Sequence, residues 1–399
     1  MMKIEDYIKE LTETYHADTV DIYRYLHAHP ELSYQEFNTS AYVRSALSNL
    51  NIDFEPDIAG TGVLGIIRGK EPGKIIALRA DMDALPIREE NEVSFKSVNE
   101  GVMHACGHDV HTTSLLGAAR ILQELRDRWS GTVLLIFQPG EEKHPGGARL
   151  MLEAGIFDHY KPEVILAQHA YIDYVAGEVG FEPGIIMAAA DEVHIKIRGN
   201  GGHGALPNLV NDTVLAASQC IVSMQQVVSR RSNPFHPTVL SFGKLIANGS
   251  TNVIPDEVVI AGTLRTMDEE DRPRIKEMIK DVAVHTAEAY GCGCEIEVYD
   301  GYPCVMNDPE VTSRAKDFAA EYLGQKRIKG LPKRMTAEDF GFFSQLYPTT
   351  FYRFGVQGSH GCGGLHTSRF LIDPEALKTS VGLFAFLAYR FLEELNSNI

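Results

Sequence analysis

Between Ile75 and Glu142 three segments decide the fold: IIALRADMD at Ile75–Asp83, DVHTTSLLGAARILQELRDR at Asp109–Arg128 and TVLLIFQPGEE at Thr132–Glu142. The first and third are short apolar runs that stop at acidic residues, as buried strands do where they enter a loop. The middle one places apolar residues at Leu115, Leu116, Ala119, Leu122 and Leu125, the spacing of a helix packed on one face. Going outward, GGARLMLEAGIF (Gly146–Phe157) continues as a helix and VILAQH (Val164–His169) as another buried strand. Strands alternating with helices predict an α/β layer built on a largely parallel sheet. On the N-terminal side, Ile4 to His27 has helical spacing with Pro30 just beyond. The apolar run Val63–Ile67, separated from Ile75–Leu78 by Gly69 and Gly73, reads as a strand adjacent to the next one.

The order changes after about Ala188. DEVHIKIRG alternates as a strand, TVLAASQCIVSMQQVVSRR is helical, and TVLSFGKLIA and EVVIAGTLRT are two strands. A helix over Glu269–Tyr290 and a last strand, CEIEVY, complete a βαββαβ pattern, that of a ferredoxin-like unit. It begins and ends in strands, so it can be inserted in a larger domain. The expected architecture is a discontinuous α/β domain over 1–187 and 300–399, interrupted by a compact α+β insert at 188–299.

A chain of 399 residues exceeds one typical core, in keeping with two domains. A formal charge of −17 speaks against nucleic acid and anionic membrane surfaces as partners. The opening MMKIEDYIKELTETY lacks the apolar run of a secretory signal, and no segment approaches the ~20 apolar residues that span a bilayer. A cytoplasmic location is expected. There, six cysteines are buried residues, metal ligands or reactive thiols rather than a disulfide framework.

Four apolar runs lead into coordinating side chains. One ends in Asp81 and Asp83, a second in Glu141 and Glu142, a third in His169, and FYRFGV leads through a Gly-rich loop to His366. In an open α/β sheet, sites form beyond the carboxyl ends of parallel strands, so these ends are expected to share one crevice. HACGHD, in the loop before a helix, adds Cys106 and His108. Thiolate, imidazole and carboxylate together suit zinc, and other first-row divalent ions as well. The adjacent pair Glu141–Glu142 permits a division of labour: one carboxylate binds metal while the other takes a proton from activated water.

RADMDALP, MHACGHDVHT, FQPGEE, GGHGALP, NVIPDEVVIAGTLRT, MTAEDFGFF and LHTSRF resemble, in order, the motifs of the amidohydrolase branch of the M20 peptidase family. The resemblance runs from HPELSYQE near the start to LHTSRF near the end. It implies a catalytic domain holding two divalent metal ions (zinc, manganese, cobalt or nickel) and a smaller lid domain used in dimerisation. By motif match, Cys106 bridges the ions, His108 and His169 complete one site, and Glu142 and His366 the other. Glu141 is the implied general base, and Asp83 orients a ligand from behind. In the insert, the implied roles are carbonyl polarisation for His203 and substrate-carboxylate binding for Asn252 and Arg265. The implied substrate is a small N-acyl amino acid, N-acetyl or aromatic-acyl, in a homodimer or higher homo-oligomer. A dipeptidase or aminoacyl peptidase of the same family is the alternative, and a metal-free cysteine hydrolase using Cys106 is a remoter one. Pro207 is followed by Asn208 where the family often has His, and NDTV replaces a usual DP pair; both bear on substrate preference rather than on the metal set.

Other candidates have blander readings. His104 and His111 flank the HACGHD motif and are expected beside the metal set rather than in it. His27 and His29 are expected to be structural, as is the pair Cys292 and Cys294. Glu338 and Asp339 either face the site or cap a helix.

Overall fold

A computed structural model of the chain describes residues 3–359 and 361–397. They divide into two compact units, Met1–Gly184 with Met306–Pro332 and Phe342–Ile399, and Ile185–Val305 with Lys333–Gly341. The second unit thus takes in 333–341, a segment that no composition change marks in the sequence. No helix among the described residues is long and apolar enough to cross a membrane.

The chain begins with α1 (Ile4–Thr14), α2 (His16–Ala28) and α3 (Phe37–Asn49), so the N-terminal helical stretch breaks once, at Tyr15. There follow β1 (Asp53–Ile58), β2 (Gly62–Arg68), β3 (Ile75–Asp81), α4 (His108–Glu124), β4 (Thr132–Gln138), α5 (Gly147–Glu153), β5 (Val164–Val175) and β6 (Val179–Phe181). The second unit contributes β7 (Ala189–Arg198), β8 (Gly202–His203), α6 (Thr213–Gln226), β9 (Thr238–Ala247), β10 (Val253–Ile254), β11 (Glu257–Thr266), α7 (Arg272–Ala289) and β12 (Gly293–Tyr299). The chain returns to the first unit with α8 (Pro309–Leu323), β13 (Ile328–Gly330), β14 (Thr349–Gln357) and α9 (Ala376–Ser397).

The first unit is built on an eight-stranded sheet in the order β1-β2-β4-β3-β5-β14-β6-β13. Its centre, β4-β3-β5-β14, is parallel throughout. These strands are buried almost end to end because helices cover the sheet, which explains their continuous apolar runs. α4 and α9 are themselves buried over most of their length and belong to the same core.

One expectation fails: β2 and β3 are not neighbours. β4 lies between them, antiparallel to β2 and parallel to β3. The connection through Gly69 and Gly73 therefore steps over one strand position, roughly 10 Å instead of 5. The six buried residues of β4 give the reason, since such a strand is covered on both faces and paired along both edges.

The second unit carries a four-stranded antiparallel sheet in the order β9-β11-β7-β12, the ferredoxin-like arrangement of a βαββαβ chain. α6 and α7 cover one face. Val193, Ile195 and Ile197 from β7 pack there with Ala216, Cys220 and Met224 of α6 and with Ile275, Ile279 and Ala283 of α7.

Candidate metal centre

Parallel order brings the carboxyl ends of β3, β4, β5 and β14 to one edge of the sheet, and the sequence puts its polar residues at or just beyond those ends. His169 differs slightly from expectation. β5 continues to Val175, so the histidine lies within the strand rather than at its end.

Two local devices aim the loops. Gly107 stands between Cys106 and His108 with φ +88°, a left-handed conformation that starts α4 abruptly and that other residues adopt only at a cost. A Cβ at Gly107 would also sit 3.1 Å from the Cβ of Ala170. Gly140, with φ +57°, precedes the two glutamates, and the ring of Tyr34 lies so close that a Cβ there would come within 2.2 Å of it.

Asp83 organises what these loops carry. Its Oδ1 lies 3.1 Å from His108 Nδ1 and accepts the Glu141 amide at 3.0 Å, while its Oδ2 accepts the Glu142 amide at 2.9 Å and the Ser33 hydroxyl at 2.6 Å. The carboxylate is fully buried. Burial alone would raise its pKa, but His108, Ser33 and the Glu142 amide hold it below the ordinary value. With Nδ1 engaged, His108 presents Nε2 to the centre.

Around that point the donors converge. Cys106 Sγ is 3.5 Å from His169 Nε2 and 3.3 Å from His366 Nε2. Glu142 Oε1 lies 3.1 Å from His366 Nε2, and Glu141 Oε2 is 3.9 Å from His108 Nε2. His366 itself has φ +60°, and its amide donates to the Ala105 carbonyl at 2.8 Å, which ties its loop to the cysteine segment.

The fit to metal ions rests on this donor set. Two groups share the sulfur, Cys106–His108–His169 and Cys106–Glu142–His366, each with its ligand atoms within 4.8 Å of one another. His108 Nε2 and Glu142 Oε1 are buried and make no aligned hydrogen bond among the described residues. Buried polar atoms left so cost free energy unless something binds them. The charge balance agrees. Burial would lower the pKa of His108, yet the surrounding Asp81, Cys106 and Asp83 pull it well above its usual value. Cys106 and Glu142 raise that of His366 to about 10. Both rings are thus drawn toward the charged form, whereas burial, with the Arg353 charge, holds His169 well below its usual value. A sulfur shared between two such groups suits a pair of divalent cations.

The Cys106 thiol is 7% exposed, and burial together with the Glu142 charge pushes its pKa up. That is the reverse of what a free-standing nucleophile needs.

The remaining candidates belong to the second unit. His203 and Asn252 come together in the second unit, where β8 pairs with β10 and the Asn252 carbonyl accepts the Gly204 amide at 2.9 Å. His203 Nδ1 accepts the Ala205 amide at 3.0 Å, so a neutral ring carries its proton on Nε2. Arg265 lies at the end of β11, opposite Ala190, on the face of the sheet away from α6 and α7. Cys292 and Cys294 belong to the apolar core of that unit with Cys220, whose thiol burial pushes to about 12. Glu338 accepts the Phe340 amide at 3.2 Å.

His27 is buried between Asp109 and Glu89, at 2.7 and 3.1 Å. Burial opposes its charge, but the two carboxylates raise its pKa to about 9. It braces the first turn of α4 and lies outside the donor set. His104 is buried, and both its ring nitrogens lack a hydrogen-bond partner among the described residues.

Sequence reasoning gave no role to the segment Ser33–Glu36. Besides Ser33 on Asp83, Glu36 is fully buried and accepts the Gly140 amide at 2.8 Å and the Thr61 hydroxyl at 2.7 Å, and the Tyr34 hydroxyl accepts the Gly146 amide at 3.0 Å. The signal available was the stretch HPELSYQE, where the family resemblance begins, which carried no assigned role.

Known proteins resemble this chain. A profile of "Peptidase family M20/M25/M40" matches residues 77–390. An N-acetyl-L-cysteine deacetylase of Bacillus subtilis is 37% identical over 364 residues, 91% of this chain and 86% of its own length. An N-acyl-L-amino acid amidohydrolase of Geobacillus stearothermophilus is 41% identical over 303 residues, 76% of this chain and 81% of its own. Among solved structures, the Bacillus subtilis YXEP protein, described as a dinuclear metal binding peptidase from the M20 family, superposes with a TM-score of 0.84 at 35% identity. That match covers 96% of this chain and 99% of the other.

Proposed function

The chain belongs to peptidase family M20/M25/M40, and from that premise we propose that it hydrolyses the amide bond of N-acyl amino acids, with an N-acetyl or aromatic acyl group, using two divalent metal ions. The observation that carries the reading is the position of Cys106 Sγ within 3.5 Å of both His169 Nε2 and His366 Nε2. One thiolate can serve two cations only from such a place. The names of the relatives, an N-acetyl-L-cysteine deacetylase and an N-acyl-L-amino acid amidohydrolase, support the substrate class.

Cys106, His108 and His169 would hold one ion, and Cys106, Glu142 and His366 the other. Such ions lower the pKa of a water molecule and polarise the scissile carbonyl. Glu141, 6% exposed and fixed through its amide to Asp83, takes the proton of the attacking water and delivers it to the departing amine. Asp83 keeps His108 in the tautomer that offers Nε2. His203 donates from Nε2 to the carbonyl oxygen as charge develops there. Asn252 and Arg265 receive the amino acid's carboxylate, for which a planar guanidinium is well shaped.

The second unit serves as lid and dimerisation domain in this reading. Its outer strand β9 carries Val239, Leu245 and Ile246 exposed at 37%, 45% and 39%, which supports association with a second copy. Six free cysteines suit a reducing, cytoplasmic setting.

The test is a panel of N-acetyl, N-benzoyl and dipeptide substrates assayed after chelation and after return of Zn(II), Mn(II), Co(II) or Ni(II). Activity on acyl amino acids that vanishes with chelation and returns with metal is expected. Turnover that survives complete metal removal overturns the reading, and a preference for dipeptides replaces the substrate class.

A further inference from the structure

We infer that His111 is a positioning residue for His169, setting both the tautomer and the direction of the ring that faces Cys106. The inference rests on the metal-centre reading above and goes beyond it by adding a chain of bonds behind one ligand.

The chain starts at Arg79, 1% exposed, whose Nη1 donates to Asp81 Oδ2 at 2.8 Å. The other oxygen of Asp81 lies 2.6 Å from His111 Nδ1. Across the ring, His111 Nε2 accepts the amide of Ala170 at 2.9 Å. Finally His169 Nδ1 lies 2.8 Å from the carbonyl of Ala170, leaving Nε2 toward the sulfur. Asp81, His111 and Ala170 are all buried, so water cannot substitute for any link.

Two of these contacts are to backbone groups whose sense cannot be reversed. An amide only donates, so His111 Nε2 is an acceptor and its proton sits on Nδ1, facing Asp81. A carbonyl only accepts, so His169 carries its proton on Nδ1 and offers the Nε2 lone pair to the centre. Ala170 is the node: His111 grips its N–H and His169 its C=O. Ala170 also lies close to Gly107, where an added Cβ would come within 3.1 Å of the alanine's own.

Asp81, His108 and His111 also form a cluster with metal-ligand composition. The hydrogen bonds argue against a third ion there. Both nitrogens of His111 are engaged, and both oxygens of Asp81 already take a hydrogen bond. The group is spent on orientation.

The experiment compares wild type with His111→Leu, His111→Gln and Asp81→Asn in the full chain, after thermal unfolding has established which variants fold. Zn(II) affinity is read by chelator competition, and ring tautomers by nitrogen NMR of histidine-labelled, metal-free protein. His111→Leu is expected to lose ~10–100-fold in affinity for one of two zinc ions, the range for partners behind a ligand. Its kcat should fall with little change in KM. His111→Gln, which keeps a donor and an acceptor, should recover most of the lost affinity. In Asp81→Asn the amide oxygen stays with Arg79 and the NH2 turns to His111, moving the His111 proton to Nε2 against the Ala170 amide. Zinc should again bind more weakly. A folded His111→Leu with two wild-type zinc affinities overturns the inference, as does a wild-type His169 protonated on Nε2. If His111→Leu does not fold, the Gln and Asn variants decide by the same readouts. If wild type binds no zinc, the proposed function fails instead, and the tautomers of the metal-free protein still decide the role of His111.

Discussion

Asp83 Oδ1 and His108 Nδ1 stand 3.1 Å apart in a fully buried setting, and the same carboxylate also holds the amides of Glu141 and Glu142. One side chain thereby fixes the histidine that opens α4 and two glutamates from the loop after β4. Replacing it with asparagine keeps the volume but puts an NH2 where an acceptor is needed. Asp83→Asn is expected to weaken metal binding by ~10–100-fold and to destabilise the fold by about 1–3 kcal/mol. Chelator competition and urea unfolding measure the two effects.

Glu141 is distinguished from Glu142 by its neighbours. Glu142 Oε1 sits by His366, whereas Glu141 is a member of neither group that shares Cys106. Glu141→Gln should therefore retain two metal ions per chain and lose kcat by about 10²–10⁴-fold, the usual worth of a positioned general base. Metal analysis together with steady-state kinetics checks this, and wild-type turnover in the variant would remove Glu141 from the mechanism.

His27 gives the fold a pH dependence. Its pKa is 6.5 ordinarily and about 9 in the folded chain, where Asp109 and Glu89 flank it. The stabilisation is complete below pH 6.5, where both states are protonated. It declines as pH rises from 6.5 to about 9, because only the folded state keeps the proton. His27→Gln should cost about 3–5 kcal/mol near pH 6, by unpairing two buried carboxylates, and the difference should narrow toward pH 9. Denaturant unfolding across that range follows it.

Gly107 separates Cys106 from His108 at φ +88°, and the Cβ of an alanine there would meet Ala170 at 3.1 Å. Gly107→Ala is expected to lower stability by about 1–3 kcal/mol and to reduce zinc affinity as well, since the strain falls between two of the donors. Loss of stability with unchanged affinity would mean that the turn serves the fold alone.

The sequence determined much of this directly. Continuous apolar runs marked β3, β4, β5 and β14 as buried strands. Periodicity marked α4, and the βαββαβ order marked the insert. These are local signals, and a run such as TVLLIF has few other ways to bury itself. The residue types at the strand ends suggested metal chemistry because a parallel sheet carries such ends to one edge.

Only the tertiary structure decided which strands adjoin. β4 lies between β2 and β3, a relation set by covering β4 on both sides and invisible in the short Gly69–Gly73 connection. Only the tertiary structure, likewise, separated ligand candidates from the groups that hold them. His108 and His111 are three residues apart on one helix and both are buried, yet among the described residues one leaves Nε2 without an aligned hydrogen bond while the other has both nitrogens bonded. The difference lies in what each ring meets across the fold, Asp83 for one and Asp81 with the Ala170 amide for the other. Hydrogen bonds between residues 25, 30 and 59 positions apart depend on packing, and no local pattern of residue types encodes them.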